Sequence, residues 1–213
     1  MTDMIERGRG AVADIMNRIY ARGLTTTSGG NVSLRIDATT MVISASATDK
    51  GNMRAHDVAI VAMDGTNRTP ELAASAETEL HLEIYRHLAS VDAVVHAHPP
   101  GATVFAVTGR QLNTRLVAEA YAIVGDVGWA PYALTGTNTL AGLVAGCLAE
   151  HTPCALMENH GAITTGRTLL EAFDRLEVME NLAQIQIHAE TLGGCRELTP
   201  DQCRELDELM GRD

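Results

Sequence analysis

Apolar residues recur along this chain in two rhythms, one of three to four residues and one of two, and the switches between them mark the elements. Ile5, Val12, Ile15, Met16 and Ile19 fall at helical spacing and Gly23 closes the segment, which predicts an amphipathic helix. After a loop of Thr, Ser and Gly, residues 31–36 alternate as a strand, 39–44 read as its partner, and 58–63 form a third strand ending in an Asp64-Gly65 turn. Residues 75–89 return to helical spacing, with Leu80, Ile84 and Leu88 on one face, Ser75 as the N-cap and Glu77 in the first turn. A strand follows at 93–98 and a helix at 101–107, while the stretch up to Gly128 carries little pattern. Residues 140–148 predict an apolar helix, and 155–157 and 162–164 two strands flanking Glu158-Asn159-His160-Gly161. The clearest helix comes last: Thr168 and Glu171 spell a capping box, Leu169, Ala172, Leu176, Met179, Ala183 and Ile187 form a stripe, and Gly193-Gly194 ends it. Residues 199–209 predict one further short helix. No repeat or proline-rich linker divides the sequence, so the pattern describes a single α/β domain spanning residues 1–213.

The predicted strand at 93–98 carries His96 and His98. Alternate side chains of a strand share a face, so both imidazoles project from one side of a rigid element. Two metal ligands are presented in this way. Two satisfied histidines at a strand end would produce the same spacing.

Composition narrows the setting of that pair. With 213 residues, 46% of them hydrophobic and only 3% aromatic, the core is built from Ala, Val, Ile, Leu and Met. The formal net charge of -11 disfavours nucleic acid or an anionic membrane as partner, but leaves room for a small anionic substrate held by a few local groups. The N-terminus does not read as a signal peptide, and no stretch reaches the roughly 20 apolar residues of a membrane span, so a cytoplasmic protein is expected. Cys147, Cys154, Cys195 and Cys203 follow no metal-binding spacing and are expected as free thiols.

A catalytic zinc site usually takes three protein ligands and leaves a position for water or substrate. His160 is the candidate third ligand, because a histidine in a tight turn between two apolar strands has little packing value. Glu77 begins the helix that leads into the histidine strand, where it is placed either as general base or ligand, or as a carboxylate stabilised by the helix dipole. Thr27-Ser28-Gly29-Gly30-Asn31 is a small-residue loop whose backbone N–H groups can surround an anion, although a plain turn has the same composition.

In this order, Ser28-Gly29-Gly30-Asn31-Val32-Ser33, Ser44-Ala45-Ser46, Ser75-Ala76-Glu77, His96-Ala97-His98, Ala130-Pro131-Tyr132 with Gly136-Thr137, and Asn159-His160-Gly161 resemble the class II sugar-phosphate aldolases, the zinc-dependent group that includes fuculose-phosphate aldolase. The resemblance implies a three-layer α/β/α fold with a central mixed, largely antiparallel sheet, and a homotetramer. It implies Zn2+, or another divalent ion such as Mn2+ or Co2+, held by His96, His98, His160 and Glu77, with Glu77 also the acid/base in retro-aldol cleavage of a ketose 1-phosphate. Ser28, Gly30, Asn31, Ser46 and Ser75 match its anion pocket. A decarboxylase or dehydratase on the same scaffold is the alternative chemistry, and a non-catalytic zinc-stabilised module a further one. The sequence departs from the family in three places. Ala47 stands where the fuculose-phosphate enzymes often have Gly, Ala76 replaces a second serine, and the proton-donating tyrosine has no counterpart in register, Tyr121 being merely near. Lys50 is read either as a compensating charge in the pocket or as an exposed loop lysine.

Overall fold

Glycine and polar turns cut the chain into strands of four to seven residues, too short to be stable singly, so each one depends on its neighbours in a common sheet. The structure, a computed structural model, describes residues 2–212. Helix α1 (Thr2–Ala21) precedes an antiparallel meander of β1 (Asn31–Asp37), β2 (Thr40–Ser44) and β3 (Val58–Ala62). Then come α2 (Thr78–His87), β4 (Ala93–Ala97), α3 (Pro100–Thr108), α4 (Ala118–Val124) and β5 (Val127–Ala130). The chain ends with α5 (Asn138–Cys147), β6 (Cys154–Met157), β7 (Gly161–Gly166), α6 (Leu169–Thr191) and α7 (Pro200–Met210).

Among the described residues seven strands form one sheet in the order β3-β2-β1-β4-β7-β6-β5, antiparallel except for the β5–β6 pair. Side-chain alternation then divides the core in two. Val32, Ala93, Val95, Cys154, Leu156 and Ala162 point to the face covered by α1, α3, α4 and α6. Val94, Ala155, Met157 and Ile163 point to the face covered by α2 and α5. The result is a three-layer α/β/α arrangement on a mixed, largely antiparallel sheet.

The long helix α6 begins where its sequence signal lies: Thr168 is the N-cap, its hydroxyl accepting from the amide of Glu171. The Glu171 carboxylate reaches back one residue further than a capping box requires, accepting from the amide of Arg167. Buried Glu180 on α6 accepts from the amides of Gly101 and Ala102, so a carboxylate meets the positive end of α3 and anchors the chain just beyond His98.

Two elements lie in the stretch that carries little pattern, α4 and β5. Each is short, and β5 is only half-buried along most of its length, so neither leaves a periodic trace. Helix α2 also starts later than predicted. Glu77, not Ser75, is its N-cap residue, and the Ser75 hydroxyl accepts from the Glu77 amide just outside the helix.

Leu176 on α6 is fully buried in the core beneath the sheet. Replacing it with Ala is expected to lower unfolding free energy by about 3 kcal/mol, through lost burial and the residual cavity. Urea denaturation followed by circular dichroism measures this directly.

Candidate metal centre

The period of two in β4 places Val94 and His96 on the α2 side of the sheet, and His98 keeps the same parity one step beyond the strand's end. His160 arrives from the turn between β6 and β7. That turn lies close because Gly161 has no side chain: a Cβ there would stand 2.5 Å from the carbonyl oxygen of Ala97 and 2.7 Å from the His98 ring. Asn159, in the same turn, holds a left-handed backbone (φ 54°), which asparagine tolerates better than most residues. The ligand atoms of His96, His98 and His160 all fall within 4.8 Å of one another. Glu77, at the start of α2, closes the group, with Oε2 3.3 Å from His96 Nε2 and Oε1 3.7 Å from His160 Nε2.

The electrostatics of this cluster call for a cation. His96 Nδ1 lies 3.0 Å from the carbonyl oxygen of Ala162, which can only accept, so this nitrogen carries the proton. The ring's other nitrogen, Nε2, faces His98 Nε2, 3.2 Å away, and the Glu77 carboxylate. Burial and the neighbouring imidazoles push His98 down to about 4, and burial likewise lowers His160, so both rings are neutral donors near pH 7. Burial works to raise the pKa of Glu77, but His96, the Asn31 amide and the other histidines outweigh it and hold the carboxyl below its ordinary value. Its Oε1 is buried without any hydrogen-bond partner. Three imidazole nitrogens and an orphaned carboxylate oxygen around one point fit a divalent metal with N and O ligands.

Three loops surround the cluster. The loop at 27–31 packs on the histidine strand, where Gly30 adopts φ 70° and a Cβ would meet the carbonyl oxygen of His96 at 2.6 Å. The loop at 45–50 joins it through the Lys50 amide, which donates to Thr27 O, and joins residues 73–77 through the Ser46 amide, which donates to Ala73 O. Ser28 is exposed and Ser46 partly so, and neither hydroxyl forms a hydrogen bond among the described residues. Ser75 is buried against Glu77. Asn31 stands differently from the anion-loop reading: its amide nitrogen donates to Glu77 Oε2 at 2.7 Å and its carbonyl oxygen faces His81, so its side chain serves the carboxylate.

Lys50 is not an exposed loop lysine. It is 2% exposed, and its ammonium donates to Ala45 O and Thr48 Oγ1, pinning the loop that carries Ser46. Burial draws its pKa down to about 8, against an opposing pull from Asp57. Tyr121 lies on α4 and donates to Asp207 of α7, apart from the histidines. A cavity of about 490 Å³, lined in part by Arg167, Arg175 and Arg212, opens at the opposite end of β7 and shares no residue with the cluster.

The profile of the Class II Aldolase and Adducin N-terminal domain family matches residues 10–187. The chain belongs to this family. An L-fuculose phosphate aldolase of Methanococcus vannielii (strain ATCC 35089 / DSM 1224 / JCM 13029 / OCM 148 / SB) is 32% identical over 171 residues, covering 80% of this chain and 91% of that protein. A methylthioribulose-1-phosphate dehydratase of Hahella chejuensis (strain KCTC 2396) is 32% identical over 183 residues, covering 79% of this chain and 87% of its own. Among solved structures, an L-fuculose 1-phosphate aldolase superposes with a TM-score of 0.86 at 26% identity over 96% of each chain.

Within this class II aldolase domain the sequence reading overlooked His81, Ser33 and Tyr85, all buried beside Glu77 and Asn31. The available signal was the i, i+4 spacing of Glu77 and His81, which puts both on one helix face.

Ala47 keeps a left-handed backbone at φ 56°, a conformation that suits glycine better than alanine. Relief of that strain, partly offset by glycine's greater unfolded freedom, is expected to make Ala47→Gly more stable by up to about 1 kcal/mol in urea melts. Lys50 carries a pH signature. Its folded pKa lies below the unfolded value, so the unfolded chain binds more protons between about pH 8 and the ordinary lysine range, and stability rises with pH there. Wild type should therefore gain stability relative to Lys50→Met from pH 8 to pH 10, and a pH-independent difference would contradict the buried ammonium.

Proposed function

We propose that this class II aldolase cleaves a ketose 1-phosphate, either a 6-deoxyhexulose or a deoxy or methylthio pentulose, to dihydroxyacetone phosphate and an aldehyde. The orphaned Oε1 of buried Glu77, aimed among three imidazoles, carries the reading. His96, His98, His160 and Glu77 would hold a divalent ion, Zn2+ by the match of two element types in the donor set. When bound, that ion supplies Lewis-acid stabilisation of the charge that develops on the substrate oxygens as the carbon–carbon bond breaks.

The protein's own groups do the rest. Retro-aldol cleavage takes a proton from the hydroxyl that becomes the aldehyde, leaves the bonding pair on the carbon next to the carbonyl, and later returns a proton to that carbon. Glu77 is held ionised in the resting site, so it can accept a proton at Oε1 and deliver it. The Ser28–Gly30 loop, Ser46 and Ser75 surround the place for the phosphate, with free hydroxyls on Ser28 and Ser46 as donors. Lys50 adds positive charge beneath the Ser46 loop without reaching the surface.

A second copy of the chain fits the open side of the site. Val104, Val107, Tyr132 and Leu134 are exposed apolar residues around the His160 turn, since Ala106 O accepts from the Asn159 amide and Glu158 accepts from the Tyr132 amide. A homotetramer with the sites at its subunit contacts would cover them. Among the described residues no helix is long and apolar enough to cross a membrane, and the four free thiols suit the reducing cytoplasm.

The relationship to a methylthioribulose-phosphate dehydratase supports a second reading, loss of water from the same kind of substrate. Product analysis separates the two. Zn2+-loaded protein incubated with L-fuculose 1-phosphate and 5-deoxyribulose 1-phosphate should release dihydroxyacetone phosphate and aldehyde, whereas a dicarbonyl product with no aldehyde release would select dehydration. Glu77→Gln is expected to retain metal on the three histidines and to lower kcat by roughly a hundredfold or more. Full activity in that variant would remove Glu77 from the chemistry.

A further inference from the structure

The side of α2 that carries Glu77 also carries His81 and Tyr85, at i+4 and i+8. It lies along β1, whose Asn31 and Ser33 are two residues apart on the facing side of the sheet. Four helical residues rise about 6 Å and two strand residues about 6.6 Å, so the two repeats stay in step. Each helix side chain therefore meets a strand side chain. Asn31 bonds Glu77 and His81, and Ser33 bonds His81 at 2.6 Å and Tyr85 at 2.6 Å.

The donor and acceptor roles in this row follow from its end. A carboxylate only accepts, so the nitrogen of the Asn31 amide faces Glu77 and its oxygen faces His81. That oxygen also only accepts, so His81 carries its proton on Nε2. Both ring nitrogens face neutral partners and the ring is fully buried, a setting that favours the neutral form and leaves a lone pair on Nδ1. Ser33 must donate to that lone pair, and its oxygen then accepts from the Tyr85 hydroxyl. Each bond of the row then runs toward Glu77, while the Tyr85 hydroxyl has the carbonyl oxygen of Asp92, 3.3 Å away, as a second and longer acceptor. The reverse direction would set the Asn31 oxygen against a buried carboxylate.

We propose that His81 is a positioning residue: set in its Nε2–H form by Ser33, it locks the Asn31 amide so that Asn31 donates to Glu77 Oε2 and leaves Oε1 free toward the three histidines. The inference rests on the reading of Glu77 as a metal-facing carboxylate. His81 itself is not a ligand, since both of its nitrogens are engaged and it is fully buried beneath the site.

The first test uses the wild-type chain labelled with 15N in histidine. A two-bond 1H–15N spectrum of the metal-free protein should show His81 with a protonated Nε2 and an unprotonated Nδ1, and the opposite tautomer would overturn the proposal. The second test titrates Zn2+ into metal-free variants against a competing chelator. Ser33→Ala and His81→Phe should each weaken Zn2+ binding about tenfold, the usual scale for groups that orient a ligand. His81→Gln, which keeps an N–H toward Asn31, should recover most of that loss. The double variant should be no weaker than His81→Phe alone, because both act through one chain. Ser33→Ala removes a single atom and keeps the test open if His81→Phe does not fold. Wild-type affinity in folded Ser33→Ala would overturn the proposal. Glu77→Gln distinguishes the two failures: unchanged Zn2+ binding and turnover there would sink the reading of Glu77, whereas a defect there with none in Ser33→Ala would sink only the role of His81.

Discussion

A carboxylate that is 6% exposed has to be compensated, and much of this fold can be understood as the means of keeping Glu77 ionised where it sits. Burial alone would favour its neutral form. Against that stand one amide donor from β1 and the imidazoles from β4 and the β6–β7 turn, each delivered by a different part of the sheet. The Asn31 amide would lose the carboxylate if α2 were shifted along β1 by a residue, because the helix and strand side chains meet only while their repeats stay in phase. The packing of α2 on the sheet and the electrostatics of the site are thus one constraint.

The same economy of space shapes the loops. Gly30 and Gly161 stand where a methyl group would strike the backbone of β4 or the residue after it, so the 27–31 loop and the His160 turn can both close onto the histidine strand. Lys50 then ties the 27–31 loop to the loop carrying Ser46, through its backbone amide on one side and its ammonium on the other. In a chain with net charge -11, the buried ammonium of Lys50 is a local positive charge between these loops. Ala47 shows how closely the loop's shape is held, since it keeps a left-handed backbone without being glycine.

Much of the architecture was readable because it follows simple periods. The stripe on α6 and the Thr168 cap mark that helix within a residue, and the alternation of Ala93 to His98 identifies a strand with both histidines on one face. Helix α4 and strand β5 were not readable. Seven and four residues do not complete enough repeats, and their place depends on α6, α7 and β6, which come later in the chain. His81 was hidden for a different reason: on a helix face it reads as one more core-facing residue until β1 is seen beside it. Lys50 reads as solvated because a lysine in a polar loop usually is, and only the folded loop shows its ammonium turned inward.

By itself the sequence determined the residue types, their order and their parity: two imidazoles on one strand face, a third in a turn, a carboxylate at the head of a helix, and the family those motifs name. Local periodicity suffices for that, since it acts between neighbours in the chain. What the tertiary structure alone decided is which groups share a bond across long separations. Asn31 belongs to Glu77, 46 positions away, and Ser33 to His81, 48 away, while Lys50 faces inward and Tyr121 answers to Asp207. Such pairings depend on sheet order and on the register of α2 against β1, and no spacing within a single element encodes either.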